Sequence, residues 1–412
     1  MKTPDWLLGD PGILLGARAV RSFIFGYLQV VLAIYLDKVG FSPFEIGVLF
    51  ALETFVTSLL MLAVSFMADQ YGRKKVLLLA GVFMIAMGLL YASTTNFLAL
   101  LVGAALAGIR GGPVQTAFAP VEQALLAGKV SARLRTTTFG VFAFVGSMAV
   151  IGGALLSGLP DFLRTTLEFS LIASYQPLFA LVVAAGVLNI FLILRVRESP
   201  RPSGPRSIMP RKSSGRMVRL FISSGLDGFG AGFILPFFAY WFYLRFGAEP
   251  GSIGLAFAGG ELLSAAGLLV GARMAYRVGL VKALVLTRVP VILLTAFLPF
   301  SPTFDFARAF FIFRFFFANM DLPLIQSYTM AITDEAERAS VAGVVNMGKR
   351  LATVVGQGGT GFLFQQALLF PPFLIASSFY IASAGTFYFF FRKLRPPEEL
   401  TKAEPLRHSG QQ

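Results

Sequence analysis

Residues 43–68 read PFEIGVLFALETFVTSLLMLAVSFMA, and residues 250–275 read PGSIGLAFAGGELLSAAGLLVGARMA. Each stretch is long and apolar enough to cross a hydrocarbon core about 30 Å thick, which takes roughly 20 residues of helix. Backbone polar groups in lipid must bond within their own segment, so both are expected to be helices. They also match each other. Pro43, Ile46, Gly47, Phe50 and Ala51 return as Pro250, Ile253, Gly254, Phe257 and Ala258, every one 207 positions later. A second block keeps an offset of 203: Pro120, Gln123, Arg135 and Gly140 return as Pro323, Gln326, Arg338 and Gly343. The chain therefore reads as a duplicated membrane protein.

Working outward, twelve apolar stretches fill most of the 412 residues: 12–36, 44–68, 76–93, 97–126, 136–157 and 177–194, then 218–244, 251–275, 282–300, 305–331, 340–365 and 373–391. The expectation is an all-α integral membrane protein with 12 transmembrane helices in two pseudo-symmetric six-helix bundles. The first bundle covers 1–194 and the second 218–394. Between them, 195–217 is rich in Pro, Ser, Gly and Arg and reads as a basic flexible linker; 395–412 is a polar tail. The loop 158–176 carries Leu159, Phe162, Leu163 and Leu167 and is expected to hold a short helix on the membrane surface.

An even number of spans puts both termini on one side. Loops on that side hold Arg73, Lys74, Lys75, Lys129, Arg133, Arg135, Arg277, Lys282, Arg338, Arg392 and the linker arginines, against Lys38, Arg164 and Arg245 opposite. This bias predicts cytoplasmic N- and C-termini and a multi-pass protein of the cell (plasma) membrane, the inner membrane of a bacterium. The net charge of +14 is thus topological and points to no nucleic-acid partner. There is no cysteine, and the one histidine, His408, lies in the tail. With no imidazole, thiol, phosphate loop or metal cluster in the membrane, neither an enzyme nor a metal site is expected.

After span 2 comes Ser65-Phe-Met-Ala-Asp69-Gln-Tyr-Gly72-Arg73-Lys74-Lys75. It resembles the major facilitator superfamily signature, in which a small residue, an Asp and Gly-Arg-Lys/Arg occupy this loop. Ser65 stands for the usual first glycine and Gln70 for the usual arginine. The second half keeps Gly279 and Lys282 but lacks the Asp. The resemblance covers span count, linker, repeat and signature. It implies a secondary transporter working by alternating access, with a cavity lined by spans 1, 4, 7 and 10. It also implies that Asp69, Gly72 and Arg73 form a conformational latch. Asp69 would face the positive N-terminus of span 11 near Ser340, and Gly72 would allow the tight turn.

Ionisable groups at membrane depth are costly and mark function by default. The candidates are Arg21, Glu53, Arg110, Asp227, Glu261, Arg314, Asp321, Lys349 and Arg350. Arg110 lies in Leu106-x-x-x-Arg110, similar to the span-4 arginine motif of proton-coupled relatives, with Val114 where a glycine is expected. Arg21 and Asp227 sit at similar depth and are expected to pair between the halves. Arg18, Glu122 and Arg288 read as structural or interfacial charges nearer the cytoplasmic ends. Tyr27, Gln29, Gln115, Tyr240, Trp241, Asn319, Gln326 and Asn346 are further cavity candidates.

The expected function is proton-coupled transport of a small organic, anionic solute, the proton riding on carboxylates and no other cofactor being needed. The alternative is a proton-driven exporter of amphipathic, drug-like compounds; the family's usual span-5 Gly-Pro pair is missing. A monomer in the lipid bilayer is expected.

Overall fold

The computed structural model describes residues 9–107, 117–198, 213–334, 337–392 and 394. It is helical throughout, with no strand among the described residues. The helices are α1 Asp10–Val39, α2 Pro43–Tyr71, α3 Arg73–Ser93, α4 Phe97–Ala107, α5 Ala119–Ala127, α6 Ala132–Leu156, α7 Leu159–Thr166 and α8 Leu171–Arg195. They continue as α9 Ser214–Ile234, α10 Phe238–Phe246, α11 Pro250–Val278, α12 Leu280–Phe297, α13 Phe304–Ile332, α14 Arg338–Gln365 and α15 Pro371–Phe391.

Among the described residues ten candidate spans are long and apolar enough to cross a membrane, α6 with α7 and α9 with α10 each counting as one. The other two expected spans are present in different form. Span 4 is seen as α4 and α5, flanking residues outside the described set. Span 11 is α14, whose 28 residues are long enough but carry Lys349 and Arg350. The short helix expected in the loop 158–176 is α7, with Leu163 buried and Phe162 exposed.

Local chemistry sets the boundaries. Ser42 caps α2: its hydroxyl accepts from the Glu45 N–H, and the Glu45 carboxylate accepts from the Ser42 N–H at 2.8 Å. Within span 7, Pro236 has no N–H to give, so α9 passes through a 3-10 turn, Leu235–Phe237, into α10. Thr360 satisfies the loosened backbone by donating to the Phe233 carbonyl at 2.7 Å.

The duplication is visible in matched turns. Gly72 joins α2 to α3 at φ 103°, ψ 145°, and Gly279 joins α11 to α12 at φ 87°, ψ 155°. Only glycine adopts this backbone readily. That explains why this element of the signature recurs in both halves.

Chain alternation gives the molecule a proximal end, near the termini, and a distal end. At the distal end one apolar cluster joins both halves, running from Ile24–Leu36 and Ile46–Phe50 to Ala231–Phe242 and Phe364–Tyr380. Towards the proximal end the core divides. One cluster is built from the first half, around Leu14, Val76 and Leu125. Another is built from the second half, around Leu220, Leu284 and Tyr328.

The repeated glycines explain the distal contact. Gly47 on α2 packs backbone to backbone on Gly361 of α14, and Gly254 on α11 packs on Ala154 and Ser157 at the end of α6. Ser157 Oγ donates across the seam to the Pro250 carbonyl at 2.8 Å. Small residues permit this approach, since lipid offers no hydrophobic drive for helix association.

Close crossings also build each half. Gly153 on α6 lies against the Phe23 carbonyl and Gly26 of α1, whereas no atom of the described residues lies within 4 Å of a Cβ placed on Gly140. Gly153→Ala is expected to destabilise the protein by about 1–3 kcal/mol through overpacking. Gly140→Ala should stay within about 0.5 kcal/mol. Thermal unfolding in one detergent compares the two directly.

Candidate functional site

The second half holds a cluster of charges contributed by four helices, each near the middle of its length, with a fifth, α15, adding neutral polar partners. Asp227 on α9 receives Lys349 Nζ of α14 at 2.6 Å and lies 3.7 Å from an Nη of Arg288 on α12. Arg288 also reaches Asp321 on α13, Nε to Oδ2 at 3.3 Å, and donates from Nη1 to Ser383 Oγ on α15 at 2.7 Å. Arg288 therefore bridges the two carboxylates. The α9–α14 crossing makes the Lys349 contact possible. At Gly228 the α9 backbone meets the Lys349 carbonyl with no room for a side chain, and Thr353 Oγ1 donates to the Gly228 carbonyl at 3.0 Å.

Arg314, on α13, is buried beside this group and takes neutral partners. Its Nε donates to Thr295 Oγ1 at 2.8 Å and an Nη to Tyr380 Oη at 3.3 Å, with the Phe238 ring 5.0 Å from the guanidinium carbon. Three cations, Arg288, Arg314 and Lys349, thus accompany two carboxylates. Desolvating each ion costs several kcal/mol, so neutralising contacts of this kind are what keep such a cluster inside a bundle. Lys349 is the most open of them, with 42% of its side chain accessible.

The first half has its own group. Arg21 on α1 donates to Asn189 Oδ1 of α8 at 2.6 Å and pairs with Glu122 of α5. Arg18 lies over the Phe142 ring at 4.7 Å. The expected Arg21–Asp227 pair between the halves is therefore corrected: each residue is paired inside its own bundle. Depth along a helix is readable from sequence, but rotation about its axis is not. Arg18, Glu122 and Arg288, read as structural or interfacial charges nearer the cytoplasmic ends, are buried or largely buried, and the ion pairs of Glu122 and Arg288 fit the structural reading rather than the interfacial one. Arg18 and Arg288 each lie eight residues into their helices, about 12 Å from the start, which carries them inward.

The remaining candidates are dispersed. Glu53 is buried on α2, and Arg350 is half-buried next to Lys349. Glu261 on α11 is half-buried and makes no hydrogen bond or ion pair with the described residues. Tyr240 and Trp241, read as cavity residues, are fully buried in the distal aromatic core instead. Arg110 lies outside the described residues, as does the Asp69 side chain. Gly72 makes the turn between α2 and α3. Arg73 faces its own half, with its N–H donating to Glu198 at 3.1 Å and Nη1 to the Ala124 carbonyl at 3.0 Å.

The Major Facilitator Superfamily profile matches residues 14–215 and 220–410, one stretch in each half. The chain belongs to the Major Facilitator Superfamily. It is 22% identical over 412 residues to an uncharacterized membrane protein of Saccharomyces cerevisiae, covering 91% of this chain and 92% of the yeast protein. Among solved structures, the nucleoside transporter NupG superposes with a TM-score of 0.73 at 14% identity, covering 93% and 99% of the two chains. A bacterial homolog of the human lysosomal transporter Spinster, in an inward-facing and occupied conformation, gives 0.72 at 15% identity, covering 93% and 96%.

As a superfamily member the chain is a multi-pass membrane protein that moves a small molecule by secondary transport, and not an enzyme. The buried Arg21–Glu122 pair yields a stability prediction. Arg21→Met takes from Glu122, which is 2% exposed, the cation bonded to it, leaving only Arg18 nearby, and should cost up to about 3–5 kcal/mol. Arg21→Met/Glu122→Leu should recover most of that loss. Thermal melts of the purified protein in detergent provide the comparison.

Proposed function

We propose that this transporter works by alternating access and couples protons to the movement of a small organic anion. The single observation that carries the reading is Arg288 bridging Asp227 and Asp321 on spans 7 and 10. A carboxylate takes up a proton more readily when desolvated and less readily beside an arginine. Shifts of Arg288 between the two carboxylates therefore give the bundle a way to sense protons. The cation left over in this group, together with the accessible Lys349, favours a negatively charged solute.

The basic loops support cytoplasmic termini in the plasma membrane. With that orientation the distal end is external. The distal seam joining both halves and the divided proximal core then describe a form closed to the outside and opening to the cytoplasm. Such a form is one of the two that alternating access requires.

Purified protein in liposomes tests the assignment. Asp227→Asn/Glu261→Gln/Asp321→Asn is expected to abolish accumulation driven by a pH gradient while leaving down-gradient exchange of an organic anion measurable. Unchanged coupling in that variant would reject the carboxylates as proton carriers. Accumulation of a cationic amphipath in place of anions would favour the exporter instead.

A further inference from the structure

Much of the distal seam is backbone against backbone and ring against ring, as at Gly47–Gly361 and Phe50–Phe237. A charged hydrogen bond crosses it as well. Tyr240 Oη on α10 donates to Asp37 Oδ1, near the end of α1, at 2.5 Å. The Tyr240 ring is fully buried and lies parallel to Tyr243, within 15°. The next residue along α1, Lys38, places its ammonium 5.9 Å from the Tyr175 ring of the first half and 5.7 Å from the Tyr243 ring of the second. Two consecutive side chains of α1 thus grip α10.

A second charged contact crosses the seam nearby, where the Asp161 carboxylate accepts from the Gly251 N–H; the Asp37–Tyr240 bond joins two side chains. Ser157 donates to a backbone carbonyl, and the Phe44 N–H reaches Gln365 Oε1 at 3.5 Å in an exposed position. Hydrogen bonds to an ionised acceptor are roughly twice as strong as neutral ones, and the ammonium gains further from ring faces. Both residues engage at helix ends, where a rocking movement of the halves separates them most.

We propose that the Asp37–Tyr240 bond, reinforced by Lys38 between Tyr175 and Tyr243, is the latch that holds the distal end shut. Its loss shifts the transporter towards the form open at that end. The latch rests on the alternating-access reading but on no particular solute or coupling ion.

The chain has no cysteine, so Tyr71→Cys and Tyr276→Cys supply two unique labelling sites. Both side chains are exposed, at the proximal ends of α2 and α11 in opposite halves. Spin labels there report a long distance for the form described above and a shorter one when the proximal end closes. Tyr240→Phe keeps the ring and removes the donor. It is expected to raise the ratio of short to long distances about tenfold, equivalent to about 1.4 kcal/mol. Asp37→Asn should do the same, and the two together no more than either alone. An unchanged ratio in both single variants, or additive effects in the double, overturns the latch. If the parent shows one distance with every solute and pH tried, alternating access fails first and the latch with it.

Discussion

A charge in hydrocarbon finds a counter-charge or polar partner within the protein, because neither lipid nor bulk water can stabilise it there. That constraint organises both halves of this transporter. In the first, Arg21 is enclosed by Glu122 and Asn189; in the second, Arg288 is enclosed by Asp227, Asp321 and Ser383. Each arginine ties three or more helices of its bundle together. Each half is therefore stiffened internally by bonds that break only at high cost, and it can move as a body.

The seam between the halves is built on the opposite principle. Glycines bring backbones into contact at Gly47–Gly361 and Gly158–Gly251, and rings meet at Phe50–Phe237. Dispersion contacts of this kind are individually small and collectively large. They depend on shape, so they can be given up and remade without stranding a charge. Polar contacts such as Asp37–Tyr240 lie near helix ends, where water can replace a lost partner.

Much of this was legible in the sequence, for physical reasons. The helical, membrane-spanning architecture follows from bilayer thickness, and part of the repeat fell on positions where backbone geometry leaves no choice. Gly47 and Gly254 recur because both sit in the seam; Gly72 and Gly279 recur because both adopt a positive φ. Partnership was not legible. Arg21 and Asp227 share a depth, but the sequence cannot say which way each side chain turns about its helix. Arg288 was misplaced for a related reason. Its eight-residue distance from the start of α12, about 12 Å of helix, takes it from the membrane edge to the middle of the bundle.

Placing the strong bonds within halves and the weaker ones between them bears directly on transport. Removing one partner of a buried ion pair costs about 3–5 kcal/mol, comparable to much of the stability of a whole domain. If such pairs joined the halves, every cycle would have to break them, and one form would dominate. Confined to the bundles, they are preserved while the halves rock, and a few kcal/mol of difference in the seam sets the balance between forms. Arg288 then has a second consequence. A solute or proton that rearranges its contacts changes the shape of the second bundle, on which the seam depends. Chemistry at mid-depth can therefore reach the distal closure through the second bundle itself.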